Sequence, residues 1–244
     1  MDNVLVTGGT RGLGLAISRT LADSGYCVIA VARNPTDPFR AAETQIRSEA
    51  RGALHFLPFD FAETSRIPLL VRTIRSDIGP IYGLVNNAAI STEGLLANIH
   101  NSQIEALLQI NVLAPIMLTK YVVRSMMSDR RGRIVNISSI VASTGYNALS
   151  VYGATKASLV GFTKSLAREV GRLGITVNAV APGFMDTAMT RSLDDETRAR
   201  IARRSAMGRL PDIDDAAPAV EFLLSERARN ITGTVLTVDA GNTA

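Results

Sequence analysis

Cysteine, tryptophan and histidine are nearly missing from this chain of 244 residues, and their scarcity excludes several kinds of site. The lone cysteine, Cys27, lies in an apolar strand, so we expect a buried thiol and no internal disulfide, which favours a cytoplasmic protein. The two histidines, His55 and His100, are isolated, so no metal site is expected. Only three of the 26 basic residues are lysines, so a lysine inside a motif is notable here.

Long apolar runs and strong charge are also absent. No apolar run reaches the roughly 18 residues that would indicate a membrane span. The first strand begins by residue 4, which leaves no room for a signal peptide. A net charge of +4, without a basic stripe interleaved with aromatic residues, gives no reason to expect a nucleic-acid partner. The composition therefore predicts a cytoplasmic globular protein, long enough for a substantial core.

Short apolar strands alternate with helical stretches along the whole chain. Near-continuous apolar strands such as Cys27–Ala32 are typical of parallel strands that helices cover on both faces. We predict a single-domain α/β fold over residues 1–244, a Rossmann-type doubly wound parallel sheet of about seven strands, with a substrate lid near residues 187–210. The predicted strands are residues 4–6, 27–32, 54–58, 83–86, 133–137, 176–180 and 235–238.

A glycine-rich turn follows the first strand and precedes a helix. In Thr7-Gly-Gly-Thr-Arg-Gly-Leu-Gly14, Gly8 and Gly12 allow a tight turn and close approach to a pyrophosphate, and Gly14 allows close helix packing. The helix N-terminus that follows would attract phosphate groups. This context predicts a dinucleotide site, although a plain turn without a ligand would have the same residues.

Tyr152 and Lys156 stand four residues apart, so on a helix they share one face. A nearby ammonium favours the phenolate and is expected to lower the pKa of the tyrosine. Such a tyrosine can exchange a proton near neutral pH and act as a general acid or base. An ordinary surface Tyr and Lys is the alternative explanation of this pair.

The charge after the second strand indicates which dinucleotide would bind. An NAD site usually has an acidic residue there, whereas this chain has Arg33 and no acid before Asp37. Arg33 and Arg11 could bind a 2′-phosphate, which a guanidinium group suits well. We therefore expect NADP(H), with two solvated surface arginines as the alternative.

Taken together, these motifs resemble the short-chain dehydrogenase/reductase family over nearly the whole chain. The family's Asn-Asn-Ala-Gly segment stands here as residues 86–89, with Ala89 in place of glycine, and its later Pro-Gly-x-x-x-Thr segment runs from Pro182 to Thr187. The resemblance implies four catalytic residues: Asn111, Ser139, Tyr152 and Lys156. It also implies cofactor contacts from Gly8, Thr10, Arg11, Gly12, Leu13, Gly14, Arg33, Asp60, Phe61, Asn87, Ala88, Tyr152, Lys156, Pro182, Gly183 and Thr187.

Each catalytic residue has a role that the resemblance implies. Tyr152 donates a proton, Lys156 lowers the pKa of Tyr152 and binds the nicotinamide ribose, and Ser139 stabilises the substrate oxygen. Asn111 holds a water of a proton relay. Ser138 is a rival for the serine role, but the family's spacing to the tyrosine selects Ser139. Asp60 is expected to accept a hydrogen bond from the adenine.

In residues 90–96, 132–139, 165–170 and 182–187, the closest resemblance is to reductases of β-ketoacyl thioesters linked to acyl carrier protein or coenzyme A. It implies a ketoreductase of fatty acid biosynthesis. A dehydrogenase of a small alcohol, sugar or steroid is the nearest alternative, and a dinucleotide-binding sensor without catalysis is the non-enzyme alternative. Arginines at residues 130–133 and 198–204 could attract an acyl carrier protein or simply be solvated.

The helix that carries Tyr152 should also have an intermolecular role. Residues 151–170 are small or apolar nearly all round, and a helix with so little polar surface is normally buried. The resemblance implies pairing of this helix and the preceding long helix across a dimer interface. We expect a homotetramer, or failing that a dimer.

Overall fold

The computed structural model describes residues 1–49, 51–185 and 195–244. Within these residues, seven parallel strands form one sheet in the order β3-β2-β1-β4-β5-β6-β7, which confirms the predicted doubly wound fold. The chain reverses direction across the sheet between β1 and β4, so a ligand site is expected beyond their carboxyl ends. The strands are β1 (Asn3–Thr7), β2 (Cys27–Ala32), β3 (Ala53–Pro58), β4 (Ile81–Asn86), β5 (Gly132–Ile137), β6 (Ile175–Pro182) and β7 (Val235–Val238).

Helices cover both faces of the sheet and bury two apolar cores. The first core lies under α1, α2 and α8, and the second lies under α3, α5 and α6. Because both faces are covered, the central strands are buried along their whole length, as their apolar sequences indicate. The described helices are α1 (Gly12–Asp23), α2 (Asp37–Glu49), α3 (Ile67–Asp77), α4 (Asn101–Leu108), α5 (Ala114–Asp129), α6 (Ser150–Val170), α7 (Asp195–Arg204) and α8 (Ile213–Leu224).

Most predicted strand limits agree with the structure within two residues, and β6 differs in a way that concerns the site. The predicted strand ended at residue 180, but β6 continues to Pro182, which pairs with Val238 of β7. Pro182 is thus the last residue of the strand and does not follow it. A proline can be the last residue of a strand because it lacks only the N–H donor of the ladder. The next residue, Gly183, donates its N–H to the Val238 carbonyl at 2.9 Å.

The long helix expected before α6, near residues 103–127, is present. Residues Asn101–Asp129 form a continuous helical stretch of 29 residues that is long and apolar enough to cross a membrane by length and composition alone. Its α5 part packs Leu118, Val122 and Met126 into the second core, which is the behaviour of a core helix. Lys120 and Arg124, on the exposed side of α5, interrupt the apolar run in the sequence.

The predicted lid falls partly outside the described residues. Thr187 and the first part of the 187–210 segment are among the residues that the structure does not describe. Its later part forms α7 (Asp195–Arg204), which approaches the end of the chain: the Asn242 side chain donates to the Ile201 carbonyl at 3.3 Å. Since β7 ends at Val238, this contact places α7 over the carboxyl end of the sheet.

Candidate active site

The glycine-rich turn between β1 and α1 has a shape that only glycine can provide. Gly8 and Gly12 adopt positive φ angles of 66° and 50°. A Cβ atom at Gly14 would lie 2.1 Å from the Gly8 carbonyl oxygen, so any side chain there would push the helix away from the turn. The tight turn at Gly8 and Gly12 and the close helix packing at Gly14 are therefore as the sequence predicted.

The start of α1 leaves backbone donors for an anion. The first hydrogen bond of the helix runs from the Leu15 N–H to the Arg11 carbonyl at 3.2 Å, so the N–H groups of Gly12, Leu13 and Gly14 have no partner within the helix. Arg11, at the N-cap, makes no side-chain capping bond. Free N–H groups at a helix N-terminus favour a phosphate, so this turn fits a pyrophosphate.

Thr7, at the end of β1, joins this strand to the end of β4, the point where the strand order reverses. Its hydroxyl oxygen accepts the N–H groups of Asn87 at 2.9 Å and Ala88 at 2.8 Å, and its own proton goes to the Val85 carbonyl at 3.3 Å. The Asn87 amide donates back to the Thr7 carbonyl at 2.9 Å. Ala89, where the family has glycine, is not among the residues with positive φ, so its backbone accepts a side chain.

The ends of β1 and β2 bring together the residues expected at the 2′-phosphate. The Gly8 N–H donates to the Val31 carbonyl at 2.8 Å, and the buried Thr10 hydroxyl donates to the Asn34 carbonyl at 3.2 Å. Thr10 thus holds the glycine turn against the segment after β2. Arg11 and Arg33 flank this junction and are both exposed, so their guanidinium groups are free to reach a ligand.

Asp60 and Phe61, which follow β3, differ in what they can contribute. Asp60 is half-buried and accepts the Ala62 N–H at 2.9 Å. Phe61 is buried in the second core, edge-on to Phe59 with 5.1 Å between ring centroids. The Phe61 side chain therefore faces the core, and only the backbone of this predicted cofactor residue remains for a nucleotide.

Tyr152 and Lys156 lie on one face of α6, beside the end of β5. The Lys156 ammonium lies 5.6 Å from the centre of the Tyr152 ring and donates to the Ile137 carbonyl at 2.8 Å. Lys156 is only 3% exposed. The predicted pair therefore combines a buried lysine with a half-buried tyrosine at the sheet's carboxyl edge, and the alternative of two ordinary surface residues is wrong.

The expected effect of Lys156 on the tyrosine is not seen. Burial raises the pKa of the Tyr152 phenol to about 12, against a lowering in the sequence prediction. Burial also lowers the pKa of the Lys156 ammonium to about 8. Both shifts have the same cause, since removing a group from water disfavours its charged form. At neutral pH the structure therefore holds a protonated phenol beside a protonated lysine.

Two neighbouring serines after β5 differ in their hydrogen bonds. The Ser138 hydroxyl is buried and donates to the Lys156 carbonyl at 3.0 Å, which ties α6 to β5. Ser139 is half-buried, and its oxygen accepts the Val141 N–H at a long 3.4 Å. The Ser139 hydroxyl proton therefore remains available for a substrate oxygen, whereas that of Ser138 is committed to the fold.

Asn111 lies in a wide helical turn between α4 and α5. Residues Gln109–Leu113 form a π-helical turn, and Pro115 has no N–H to give to the Asn111 carbonyl, as a regular α-helix would require. The Asn111 side chain exchanges hydrogen bonds with the backbone of Ile90, at 2.9 and 2.8 Å, and donates to the Thr155 hydroxyl at 3.1 Å. Its side chain is thus fixed, and its expected water-binding role stays a prediction.

Sequence reasoning missed the polar residues that support this set. Thr155 donates to the Tyr152 carbonyl at 2.7 Å and so links Asn111 to the catalytic helix. Beneath it, Asn136 of β5 donates to Thr163 of α6 at 2.8 Å and accepts from Asn86 of β4 at 2.8 Å. A buried asparagine inside an apolar strand was the available signal, because buried amides need partners.

Pro182 and Gly183 reach the same edge from β6. A Cβ atom at Gly183 would lie 2.7 Å from the Cβ atom of Asp239, so glycine is required by the close approach of the chain's end. The third member of that predicted segment, Thr187, lies outside the described residues. The carboxyl ends of β1, β4, β5 and β6 therefore converge as expected.

Arginines 130, 131 and 133 do not join the site. They stand at the start of β5, at the amino edge of the sheet, opposite to Ser139. Arg131 makes two bonds to the Asp2 carboxylate, both of 2.8 Å, and Arg133 is buried and bonds to Glu226 at 3.1 Å. Of the two predicted basic clusters, only the one on α7 lies at the site edge, with Arg203 and Arg204 exposed.

Comparison with known proteins assigns the family. Residues 2–198 match the family model described as short chain dehydrogenase. The chain belongs to this family of oxidoreductases. Among similar proteins is a 3-oxoacyl-[acyl-carrier-protein] reductase of Haemophilus influenzae, 42% identical over 97% of this chain and 96% of that protein. The corresponding Escherichia coli protein is 40% identical over 97% of this chain and 95% of its own length.

Solved structures agree on the fold. A gluconate 5-dehydrogenase from Burkholderia cenocepacia, crystallised with NADP and tartrate, superposes with a TM-score of 0.93 at 29% identity. The match covers 99% of this chain and 95% of that one. The short-chain dehydrogenase fold thus extends through the whole described chain, including α8 and β7.

Removing the buried ammonium should change how stability depends on pH. The pKa of Lys156 is about 8 in the folded protein and 10.5 for a lysine in water, so between these values the unfolded chain binds more protons. The free energy of unfolding of the ligand-free wild type should therefore rise with pH across this window, by about 3 kcal/mol from this residue. Urea denaturation of Lys156→Met should lack that rise.

Lys164→Met is the matched control for this measurement, because Lys164 is an exposed lysine on the same helix. This variant should keep the wild-type rise. An identical pH dependence in the wild type and in Lys156→Met would show that the ammonium is not buried as described.

Proposed function

We propose that this short-chain dehydrogenase is an NADPH-dependent reductase of β-ketoacyl thioesters, forming the 3-hydroxy product. The observation that carries the proposal is the convergence of Ser139, Tyr152 and Lys156 at the end of β5, beside the glycine turn of β1. The relatives at 40–42% identity over 97% of the chain support the thioester as substrate, since they are 3-oxoacyl-[acyl-carrier-protein] reductases. We propose that it acts in the cytoplasm in fatty acid synthesis, and the acyl-carrier-protein substrate in the names of these relatives supports that role.

The residues present fit a dinucleotide with a 2′-phosphate. The free N–H groups of Gly12, Leu13 and Gly14 suit the pyrophosphate, and the glycine turn leaves room for its close approach. Exposed Arg33 stands where an NAD site would have an acid, and exposed Arg11 lies in the glycine turn. The solved gluconate 5-dehydrogenase with NADP supports the same choice of cofactor.

The described residues would divide the reaction as follows. When bound, NADPH supplies the hydride that reduces the carbonyl carbon. The Ser139 hydroxyl donates a hydrogen bond to the carbonyl oxygen and stabilises the negative charge that develops there. Tyr152 transfers its phenolic proton to that oxygen. Lys156 provides positive charge behind the phenol, and Asn111, through Thr155, keeps the first turns of α6 in place.

Replacing Tyr152 by phenylalanine should abolish turnover and leave NADPH binding nearly intact, because only the proton donor is lost. The assay is the loss of NADPH absorbance with acetoacetyl-CoA and with an acetoacetyl thioester of acyl carrier protein. Tyr26→Phe is the control, since Tyr26 stacks on Tyr82 at the opposite edge of the sheet and should keep activity. Turnover retained by Tyr152→Phe would reject the catalytic assignment.

The two arginines should set the coenzyme preference. Arg11→Ala and Arg33→Ala should each lower kcat/KM for NADPH by about tenfold, since each removes a charge-assisted bond to the 2′-phosphate. The value for NADH should change little. Arg47→Ala, at an exposed arginine near Glu43, is the control that should leave both values unchanged. An equal loss of kcat/KM with NADH and with NADPH would show that the arginines do not bind the 2′-phosphate.

The acyl carrier protein is the proposed partner, and α7 is the surface on this chain that suits it. Carrier proteins of this kind are acidic, and Arg203 and Arg204 are exposed at the site edge. A lower KM for the carrier-linked than for the CoA-linked substrate would support this partner. Turnover of free ketones or sugars alone would instead favour the alternative dehydrogenase of small alcohols.

We further propose a homotetramer in which α5 and α6 form one interface. The outer side of α6 exposes Ala154, Ala157 and Gly161, and Leu113, just before α5, is 43% exposed. Small residues let two helices approach closely, and exposed leucine at such a face indicates a covered surface in the assembly.

Sedimentation should therefore show a tetramer at micromolar concentration, and Gly161→Arg should dissociate it. A Cβ atom at Gly161 meets nothing within 4 Å, so the single chain tolerates the change but a packed second copy would not. Gly171→Arg is the control, because Gly171 is equally open but lies beyond the end of α6. A monomeric wild type would refute the proposed assembly.

A further inference from the structure

Tyr146 lies in the segment between Ser139 and Tyr152 and contacts two other parts of the chain. Its ring packs edge-on against Phe184, with 5.0 Å between centroids and 61° between planes. Its hydroxyl donates to the Asn242 side-chain oxygen at 3.0 Å. Phe184 follows Gly183 at the end of β6, and Asn242 lies near the end of the chain, so one side chain joins three segments at the site edge.

Asn242 continues this connection to α7. Its amide nitrogen donates to the Ile201 carbonyl and to the Ser205 hydroxyl, both at 3.3 Å. Residues 239–243, here called the C-terminal tail, also accept two backbone bonds from the segment after α7. The Ala206 N–H donates to the Gly241 carbonyl, and the Met207 N–H donates to the Ala240 carbonyl, both at 3.1 Å.

The tail itself is held in one shape. The Asp239 carboxylate, 7% exposed, accepts the Gly241 N–H at 2.9 Å and both the N–H and the hydroxyl of Thr243, at 2.9 and 2.7 Å. Ala240 and Gly241 take left-handed φ angles of 55° and 77°. A non-glycine residue such as Ala240 stays in the left-handed region only where its surroundings hold it there. The bonds to Asp239 therefore fix the backbone conformation of the tail.

We propose that Tyr146 is a positioning residue that couples the catalytic segment to α7 through Asn242 of the C-terminal tail. Without this link, α7 would depart more often from its position over the site. A substrate that binds only the positioned state then binds more weakly in proportion to the lost population, while the chemical step in the bound complex is unchanged. This consequence for the substrate rests on the proposed ketoreductase function.

Hydrogen exchange of the ligand-free protein tests the link without any substrate. Tyr146→Phe keeps the ring against Phe184 and removes only the bond to Asn242. Exchange at the amides of Ala206 and Met207 should become about fivefold faster, which is the population change expected from one net hydrogen bond. In Asn242→Ala the exchange should also be faster, and adding Tyr146→Phe to that variant should have no further effect.

Tyr82→Phe is the matched control, because Tyr82 loses a comparable buried bond, to the Leu224 carbonyl at 2.8 Å, at the opposite edge of the sheet. It should leave exchange at residues 206 and 207 unchanged. Unchanged exchange in Tyr146→Phe, additive effects in the double variant, or the same acceleration in Tyr82→Phe would each overturn the proposal.

Kinetics then test the consequence at the site. Tyr146→Phe should raise KM for acetoacetyl-CoA, by up to about fivefold if the displaced state of α7 is well populated, with kcat and NADPH affinity unchanged. A fall in kcat at constant KM would overturn the positioning role. If no thioester is reduced by the wild type, the proposed function fails, and the exchange measurement still decides whether Tyr146 holds α7.

Discussion

The catalytic arrangement depends on burying the Lys156 ammonium against the end of β5. An ammonium out of water is costly unless its protons have partners, and here the Ile137 carbonyl accepts one at 2.8 Å. That bond and the one from Ser138 to the Lys156 carbonyl fix α6 relative to β5. Because Ser139 continues from β5 and Tyr152 lies one helical turn before Lys156, the same constraint fixes the distance between the proton donor and the oxyanion partner.

The polar residues beneath α6 follow from this constraint. An interior that packs a helix against a sheet by apolar contacts alone tolerates small shifts along the helix axis, whereas hydrogen-bonded amides define one register. Asn136 bonds to Thr163 of α6 and to Asn86 of β4, so the catalytic helix is tied to two central strands. These bonds lie in the core, yet their effect is to place Tyr152.

Local sequence determined the parts of the fold and site that could be predicted. The strands and the glycine turn follow from local patterns, and their common edge follows from the rule that parallel strands end together. Asn111 and Ser139 were implied by the family resemblance. The pKa of Tyr152 could not be predicted, because its direction depends on burial by distant segments. The position of the basic cluster at residues 130–133, by contrast, was available from the sequence, since residues at the start of a predicted parallel strand lie at the edge opposite to the site.

Two further differences have equally specific causes. The π-helical turn at Asn111 depends on Pro115 four residues later, a signal that was present in the sequence but not used. Phe61 follows Asp60, which suits an adenine site, but the Phe61 side chain packs in the second core. Successive residues after a strand point alternately to the site and to the core. Contacts of the chain's end join Asn242 to Tyr146, 96 positions away, and to Ile201 of α7, 41 positions away, beyond any local pattern.

The raised pKa of Tyr152 keeps the phenol in the form that reduction requires. With a pKa of about 12, the phenol is protonated at neutral pH and can donate to a developing alkoxide, which is a much stronger base. Alcohol oxidation needs the phenolate as base, so in that direction the phenol must first lose its proton. Because a catalyst lowers the barrier in both directions, the burial of Tyr152, which the sequence did not reveal, determines which protonation state is present at neutral pH and not which direction the reaction takes.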